Sequence, residues 1–174
     1  MIKNTPKKVI KNIKTSGIEI IYTFFLSILI TLFFGLGISA FYTSPEPPEY
    51  PKVLSMPTKD ILDTQTQEQI DAQINFDKAN EDYAVVLADY NQKVSIITLI
   101  LAVSALAISL IFLGNIYVLS NGLLLGGVFT LIYSMIRGFM ADNNQYRFII
   151  VSIGLLITLA LGYIKFIKSN RQEK

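Results

Sequence analysis

The sequence predicts an all-α integral membrane protein with four transmembrane helices and a long extracytoplasmic helix that is continuous with the second span. Three observations lead to this fold class. The composition is 52% apolar and only 16% charged, with a mean hydropathy of +0.48, which is far from what the surface of a soluble domain requires. Four apolar runs are long enough to span a bilayer. The lysines and arginines are distributed unevenly between these runs.

The four spans follow from run length, because crossing about 30 Å of hydrocarbon takes about 20 residues of apolar helix. Uncharged apolar runs of that order occupy residues 20–41, 94–113, 116–136 and 148–164. The fourth reaches full length, 148–167, if Lys165 extends its ammonium group to the lipid headgroups. A signal-peptide core is about 7–15 residues long, so the longer first run favours an uncleaved anchor over a cleaved signal peptide. Gly114 and Asn115, between the second and third runs, predict a tight helical hairpin.

Orientation follows from the charges that flank the spans. Residues 1–17 carry five lysines and no acid, and the C-terminal tail is also basic. Residues 42–93 carry ten acids against four lysines, a net charge of −6. Since excess Lys and Arg stays in the cytoplasm, residues 1–19 and 168–174 are predicted to be cytoplasmic tails and residues 42–93 an external segment of a cell-membrane protein.

The external segment divides into two parts. Five of the six prolines lie between Pro45 and Pro57, so residues 44–57 are predicted to form an extended, polyproline II linker. Apolar residues then recur at three- and four-residue steps, which predicts an amphipathic helix over residues 66–93 that runs directly into the second span. Its apolar stripe includes Ile70, Ile74, Tyr83, Val86 and Tyr90.

Such a stripe cannot be buried by one isolated helix, and the sequence leaves three ways to cover it. The Pro-rich linker folds back over it, the same helix of a second copy pairs with it as a coiled coil, or a separate membrane-protein partner binds it.

Small residues mark the helix-packing positions inside the predicted bundle. Gly122 and Gly126 form a Gly-x-x-x-Gly pattern in the third span, with Gly127 beside them. Residues of this size at this spacing let two helix backbones approach closely. Ala105 and Ser109 in the second span offer a partner face, together with Ala102 there and with Gly154 and Gly162 in the fourth span. Contacts within the bundle are the favoured interpretation, ahead of a dimer interface and of a substrate path.

The sequence offers few candidates for catalytic or cofactor-binding residues. The chain contains no Cys and no His, which excludes thiolate nucleophiles, imidazole bases and zinc sites of the usual kind. No phosphate-binding loop or metal cluster is evident, so no cofactor and no metal are expected. A net charge of +2 gives no basis for nucleic-acid binding. The ionisable residues closest to the hydrocarbon, Glu19, Arg137 and Lys165, all lie at predicted membrane edges, which counts against transport.

Short motifs add a resemblance to a group of small four-span membrane proteins of uncharacterised activity. They are Gly35-Leu-Gly-Ile-Ser-Ala-Phe-Tyr42 before the linker, Asp89-Tyr-Asn91 at the second span and Leu161-Gly-Tyr-Ile-Lys-Phe166 near the end. The resemblance implies the architecture and no activity.

Two hypotheses about function follow. The first is a non-enzymatic scaffold, assembly factor or accessory subunit that acts through its external helix, with membrane lipid and either a second copy or another membrane protein as partners. The second is a small oligomeric transporter or channel, for which Glu19 is the possible coupling acid.

Overall fold

The computed structural model describes residues 6–55, 66–112 and 117–164. Four α-helices occupy these ranges: α1 (Pro6–Phe41), α2 (Gln67–Phe112), α3 (Tyr117–Phe139) and α4 (Asn144–Gly162). A short 3-10 turn, Lys52–Ser55, lies between α1 and α2. No residue of the described ranges is in a β-strand, so the predicted all-α fold is confirmed for them.

All four helices are long and apolar enough to cross a membrane, which is what a multi-pass membrane protein requires. Besides α2, two helices begin before their apolar runs. α1 begins at Pro6, inside the predicted basic tail, since proline suits the first turn of a helix. α4 begins at Asn144 because the Asn143 side chain caps it, accepting hydrogen bonds from the backbone N–H groups of Gln145 and Tyr146. The predicted Gly114–Asn115 turn and the end of the fourth span at Ile167 lie outside the described residues.

α2 is a single helix of 46 residues, about 69 Å long at 1.5 Å per residue. It contains neither proline nor glycine, so nothing in its sequence interrupts the helix. This is the continuous helix that the sequence predicts from about Thr66 into the second apolar run. We call its first part, residues 67–93, the stalk, and the end of the bundle from which it projects the stalk side.

α3 lies at the centre of the bundle and packs against all three other helices. Its most extensive contact is with α2 and is formed by small residues that recur every seven positions on both helices. These residues, all at most 2% exposed or glycine, are Ser95, Ala102 and Ser109 on α2 and Ser120, Gly127 and Ser134 on α3. A seven-residue repeat keeps one seam in contact when two helices cross at a shallow angle, and small side chains let the backbones approach.

Two reciprocal pairs of hydrogen bonds hold this seam, and we call them the serine clasps. In the first, the Ser95 hydroxyl donates to the Ser134 carbonyl at 2.8 Å, and the Ser134 hydroxyl donates to the Ser95 carbonyl at 2.7 Å. In the second, Ser109 and Ser120 exchange the same two bonds at 2.7 and 2.9 Å. The hydroxyls are thereby satisfied without water, which an apolar environment demands.

α1 packs on another side of α3 and only briefly on α2. A Cβ at Gly122 would meet the Leu26 side chain at 2.6 Å, and one at Gly126 would meet Ile30 at 3.0 Å. The Thr31 hydroxyl also reaches the Gly126 carbonyl, at 3.3 Å. The absence of side chains at the two glycines is therefore what allows α1 this close to α3.

α4 contacts α3 near the α3–α4 connection. Ile150 of α4 is buried against Gly138, where a Cβ would lie 3.0 Å from it, and Gly154 accommodates the Met135 side chain. Beyond Gly154 the side chains of Leu155, Leu156 and Leu159 are exposed, as expected of a helix in contact with lipid.

The Pro-rich linker runs back along the stalk. Tyr42 stacks on Tyr90 with ring centroids 5.2 Å apart, and further out Tyr50 meets Phe76 edge-on, also at 5.2 Å. The eight residue steps from Tyr42 to Tyr50 span about 25 Å at a polyproline II rise, while the fourteen steps of α2 from Phe76 to Tyr90 span about 21 Å. An extended linker thus matches the helix in length and lies along one face of it.

Candidate functional site

The most elaborate polar site lies on the stalk side, where α1 ends and α2 enters its apolar part. Arg137, near the end of α3, donates from Nε to the Tyr133 hydroxyl at 2.9 Å and from Nη1 to Asn91 Oδ1 at 2.8 Å. Its guanidinium also lies over the Tyr133 ring at 5.4 Å and over the Tyr90 ring at 5.9 Å. Two neighbouring helices, α2 and α3, are therefore joined by one half-buried cation.

Tyr90 links this arginine to α1. Its ring stacks on Tyr42, and its hydroxyl donates to the Tyr42 carbonyl at 3.3 Å. Beneath the ring, Val94 and Ile38 form a small buried cluster. We call Tyr42, Tyr90, Asn91, Tyr133 and Arg137 the arginine cluster. It ties α1, α2 and α3 together at the level where aromatic and cationic side chains commonly meet a membrane surface.

The described charged side chains on this side are numerous but seldom pair with one another. Their one ion pair joins the Lys93 ammonium to the Asp89 carboxylate at 2.6 Å, one helical turn apart on α2. The hydrogen bond that the Lys93 ammonium donates to the Asp89 carboxylate raises the pKa of Lys93, and the negative charge of that carboxylate raises it further. The pair is more than half exposed and holds one charge of each sign beside the Tyr42 end of α1.

Between α1 and α2, directly below the arginine cluster, lies an apolar groove. The two helices touch at Ile38 and Tyr42 and then separate, which leaves a space of about 440 Å³ between Phe33 and Phe34 on one side and Ile97 and Leu101 on the other. A second, more polar space of about 280 Å³ adjoins it above, and its lining includes Tyr42, Asp89 and Tyr90. We call the lower space the α1–α2 groove and the upper one its mouth.

The residues predicted to pack helices together lie at two different contacts, that of α3 with α1 and that of α3 with α2. Gly122 and Gly126 face α1, whereas the sequence suggested faces on the second and fourth spans. Gly127 faces α2, where a Cβ would come within 2.7 Å of Leu106. Ala105 and Ser109 are buried, and Ser109 forms a clasp with Ser120 of α3. Around Gly162, by contrast, a Cβ would meet nothing within 4 Å.

The predicted stripe of the stalk is divided between two environments. Tyr90 is buried and Tyr83 is half-buried, together with Phe76 and Leu87, which lie at compatible helical positions. Ile70, Ile74 and Val86 are exposed, although the sequence groups them with the tyrosines. The linker therefore accounts for part of the stripe, and side chains such as Ile74, 60% exposed, and Val85, 68% exposed, remain uncovered.

Glu19, the candidate coupling acid, is half-buried in the N-terminal half of α1, which is the half remote from the arginine cluster. The arginine cluster was only partly foreseen. The sequence singled out Arg137 at a membrane edge and Tyr90 in the stripe, and short motifs contained Tyr42 and Asn91, but nothing predicted that these residues meet. The spacing of Tyr133 and Arg137, four residues apart on a helix, was an available signal, whereas the contacts to α2 require the tertiary structure.

No group of three or more Asp or Glu side chains suited to a metal ion occurs in the described part of the chain. No protein-family model matches the sequence, and no curated protein or solved structure was found to be similar to it. These comparisons give no support to the resemblance to small four-span proteins; what the structure shares with that group is four apolar helices.

Proposed function

We propose that the protein is a non-enzymatic membrane scaffold, an assembly factor or accessory subunit, which presents its stalk to a protein partner at the membrane surface. The observation that carries this proposal is the division of the stalk into a covered and an uncovered side. The linker packs along one side through Tyr50 and Tyr42, while Ile74 and Val85 stay exposed elsewhere on the same helix. Exposed apolar side chains on a helix fixed to a rigid base are suited to binding another helix.

The base on which the stalk stands supports the same proposal. α2 continues without a break from the stalk into the seam with α3, and the serine clasps fix that seam. The arginine cluster then connects the foot of the stalk to α1 and α3. A partner bound to the stalk would therefore be held at a defined position relative to the membrane domain, which is what a scaffold requires.

Site-specific crosslinking tests the proposal. A photoactivatable residue at Ile74 or Val85, in the full chain in native membranes, is expected to capture one and the same protein neighbour. The matched control is Phe76, on the same stalk but packed against Tyr50; it should give adducts within the chain. Capture of a second copy would identify self-assembly. Absence of any protein adduct from both exposed positions would refute the scaffold proposal.

The proposal also requires the stalk to be outside the cell, with both ends of the chain in the cytoplasm. The chain has no cysteine, so single cysteines can be labelled with an impermeant reagent without background. On intact cells, cysteines at Asp71 and Asn144 should react, whereas those at Lys8, Asn115 and Gln172 should not. Labelling at Lys8 or Gln172 would contradict this orientation.

A further inference from the structure

The α1–α2 groove has the dimensions and lining of a ligand site rather than of an ordinary helix contact. Its volume, about 440 Å³, falls in the range of about 300–1,000 Å³ typical of small-molecule pockets. The lining is apolar apart from Tyr42, and Gly37 forms part of it. A Cβ at Gly37 would meet nothing within 4 Å, so the glycine leaves the space open and no packing contact requires it.

The mouth adds a polar end to this apolar space. Asp89 lines the mouth, and its carboxylate accepts a hydrogen bond at 2.6 Å from the Lys93 ammonium, which lies beside the mouth and is not one of its lining residues. Phe41 and Tyr42 line both the groove and the mouth, so the two spaces adjoin at these residues. An apolar groove that adjoins a carboxylate, with an ammonium group bound to that carboxylate, is complementary to an amphiphile with a zwitterionic headgroup.

We propose that the groove and its mouth bind one membrane phospholipid with a zwitterionic amine headgroup, with an acyl chain between α1 and α2. In this arrangement the lipid ammonium faces the Asp89 carboxylate and the lipid phosphate faces the Lys93 ammonium. The surrounding bilayer supplies the occupant, because the groove lies between apolar segments of two membrane-spanning helices and opens at its side. This inference concerns the membrane domain and is independent of any partner of the stalk.

Filling the groove tests the acyl-chain assignment. Gly37→Leu places a side chain in the open space, while Gly35→Leu, two residues away on α1 and outside the lining, makes the same exchange where a Cβ also meets nothing. The full chain is reconstituted in nanodiscs of equal parts phosphatidylethanolamine and phosphatidylglycerol, and retained lipid is counted by native mass spectrometry. We expect the parent and Gly35→Leu to retain one phosphatidylethanolamine, and Gly37→Leu to retain at least tenfold less.

Equal retention of phosphatidylethanolamine by all three proteins would overturn the proposal. A measurement on the unaltered chain covers the case in which Gly37→Leu fails to fold. Phosphatidylethanolamine that carries a diazirine in its acyl chain should label peptides containing residues 33–38 and 97–101. Labelling no stronger there than on the exposed apolar face of α4, for example at Leu156, would also overturn the proposal.

Reversing the charge at the mouth tests the headgroup assignment separately. Asp89→Lys leaves two cations there, and we expect the preference to shift at least tenfold towards the anionic phosphatidylglycerol. Asp71→Lys, the same exchange at the far end of the stalk, should leave the preference unchanged. If the parent retains both lipids equally, or if Asp89→Lys does not change the preference, the zwitterionic headgroup is refuted.

Discussion

The serine clasps yield a quantitative prediction about what holds α2 to α3. Hydrogen bonds between membrane helices contribute on average about 0.6 kcal/mol each, with an upper value near 1.7 kcal/mol. Each serine of a clasp donates one interhelical bond, so a single Ser→Ala exchange should cost about 0.6 kcal/mol. Replacing all four should cost about 2–3 kcal/mol. Ser104→Ala, whose hydroxyl donates to Ile100 within α2, should change stability by less than about 0.5 kcal/mol.

The geometry also predicts how the exchanges combine. Each hydroxyl donates to the backbone carbonyl of the opposite serine, and that carbonyl survives mutation of its own side chain. The two hydroxyl oxygens are 3.4 Å apart, so Ser95→Ala and Ser134→Ala should couple in a double-mutant cycle, but by less than about 1 kcal/mol, because each hydroxyl donates to a carbonyl and not to the other hydroxyl. The assay is reversible unfolding in mixed micelles, followed by energy transfer between dyes on cysteines introduced at exposed Ile111 and Phe139. A coupling above about 1 kcal/mol, or a quadruple variant as stable as the parent, would refute this account.

Three further exchanges test other contacts with the same assay. Gly127→Ala brings a Cβ within 2.7 Å of Leu106, so it should lower the free energy of unfolding by about 1–3 kcal/mol. Gly35→Ala, whose Cβ would lie in open space, should not lower it. Equal effects of the two exchanges would contradict the close approach of α2 and α3 at Gly127. Arg137→Gln should lower the free energy of unfolding by about 1–3 kcal/mol, since it removes one charged hydrogen bond to Asn91 of α2 and one to Tyr133 of its own helix, α3. A loss below about 0.5 kcal/mol would show that the arginine cluster does not join α2 to α3. Asn143→Ala should lower the free energy of unfolding by about 1 kcal/mol, because α4 loses its N-cap. An unchanged stability would show that this cap does not stabilise the protein.

The spans were predictable from the sequence because run length and charge are local properties. The helix partners were not. Gly122 and Gly126 share a face by spacing alone, yet nothing local indicates that the face meets Leu26 of α1. The sequence did contain a signal for the contact between α2 and α3. Small residues recur every seven positions on each helix, as at Ser95, Ala102 and Ser109, but a search for Gly-x-x-x-Gly does not detect this spacing.

The stalk shows a second limit of pattern reasoning. Counting apolar residues at three- and four-residue steps groups Ile74 with Tyr83, since both fit a broad stripe, but the structure covers one and exposes the other. The position of the linker decides this, and the sequence offered it as one of three alternatives. The α1–α2 groove was beyond prediction, because it is the space left where two helices that both pack on α3 diverge from each other.

The central place of α3 has a consequence for biosynthesis. α1 emerges first, yet its main partner comes much later, since Thr31 and Gly126 are 95 residues apart. At about 5–20 residues per second, α1 waits roughly 5–20 s in the bilayer for α3. During that interval its hydroxyls have acceptors within α1: Ser27 donates to the Phe24 carbonyl at 2.6 Å and Thr31 to the Ser27 carbonyl at 2.9 Å. The Ser27 and Thr31 hydroxyls of α1 are therefore hydrogen-bonded within their own helix before α3 is synthesised.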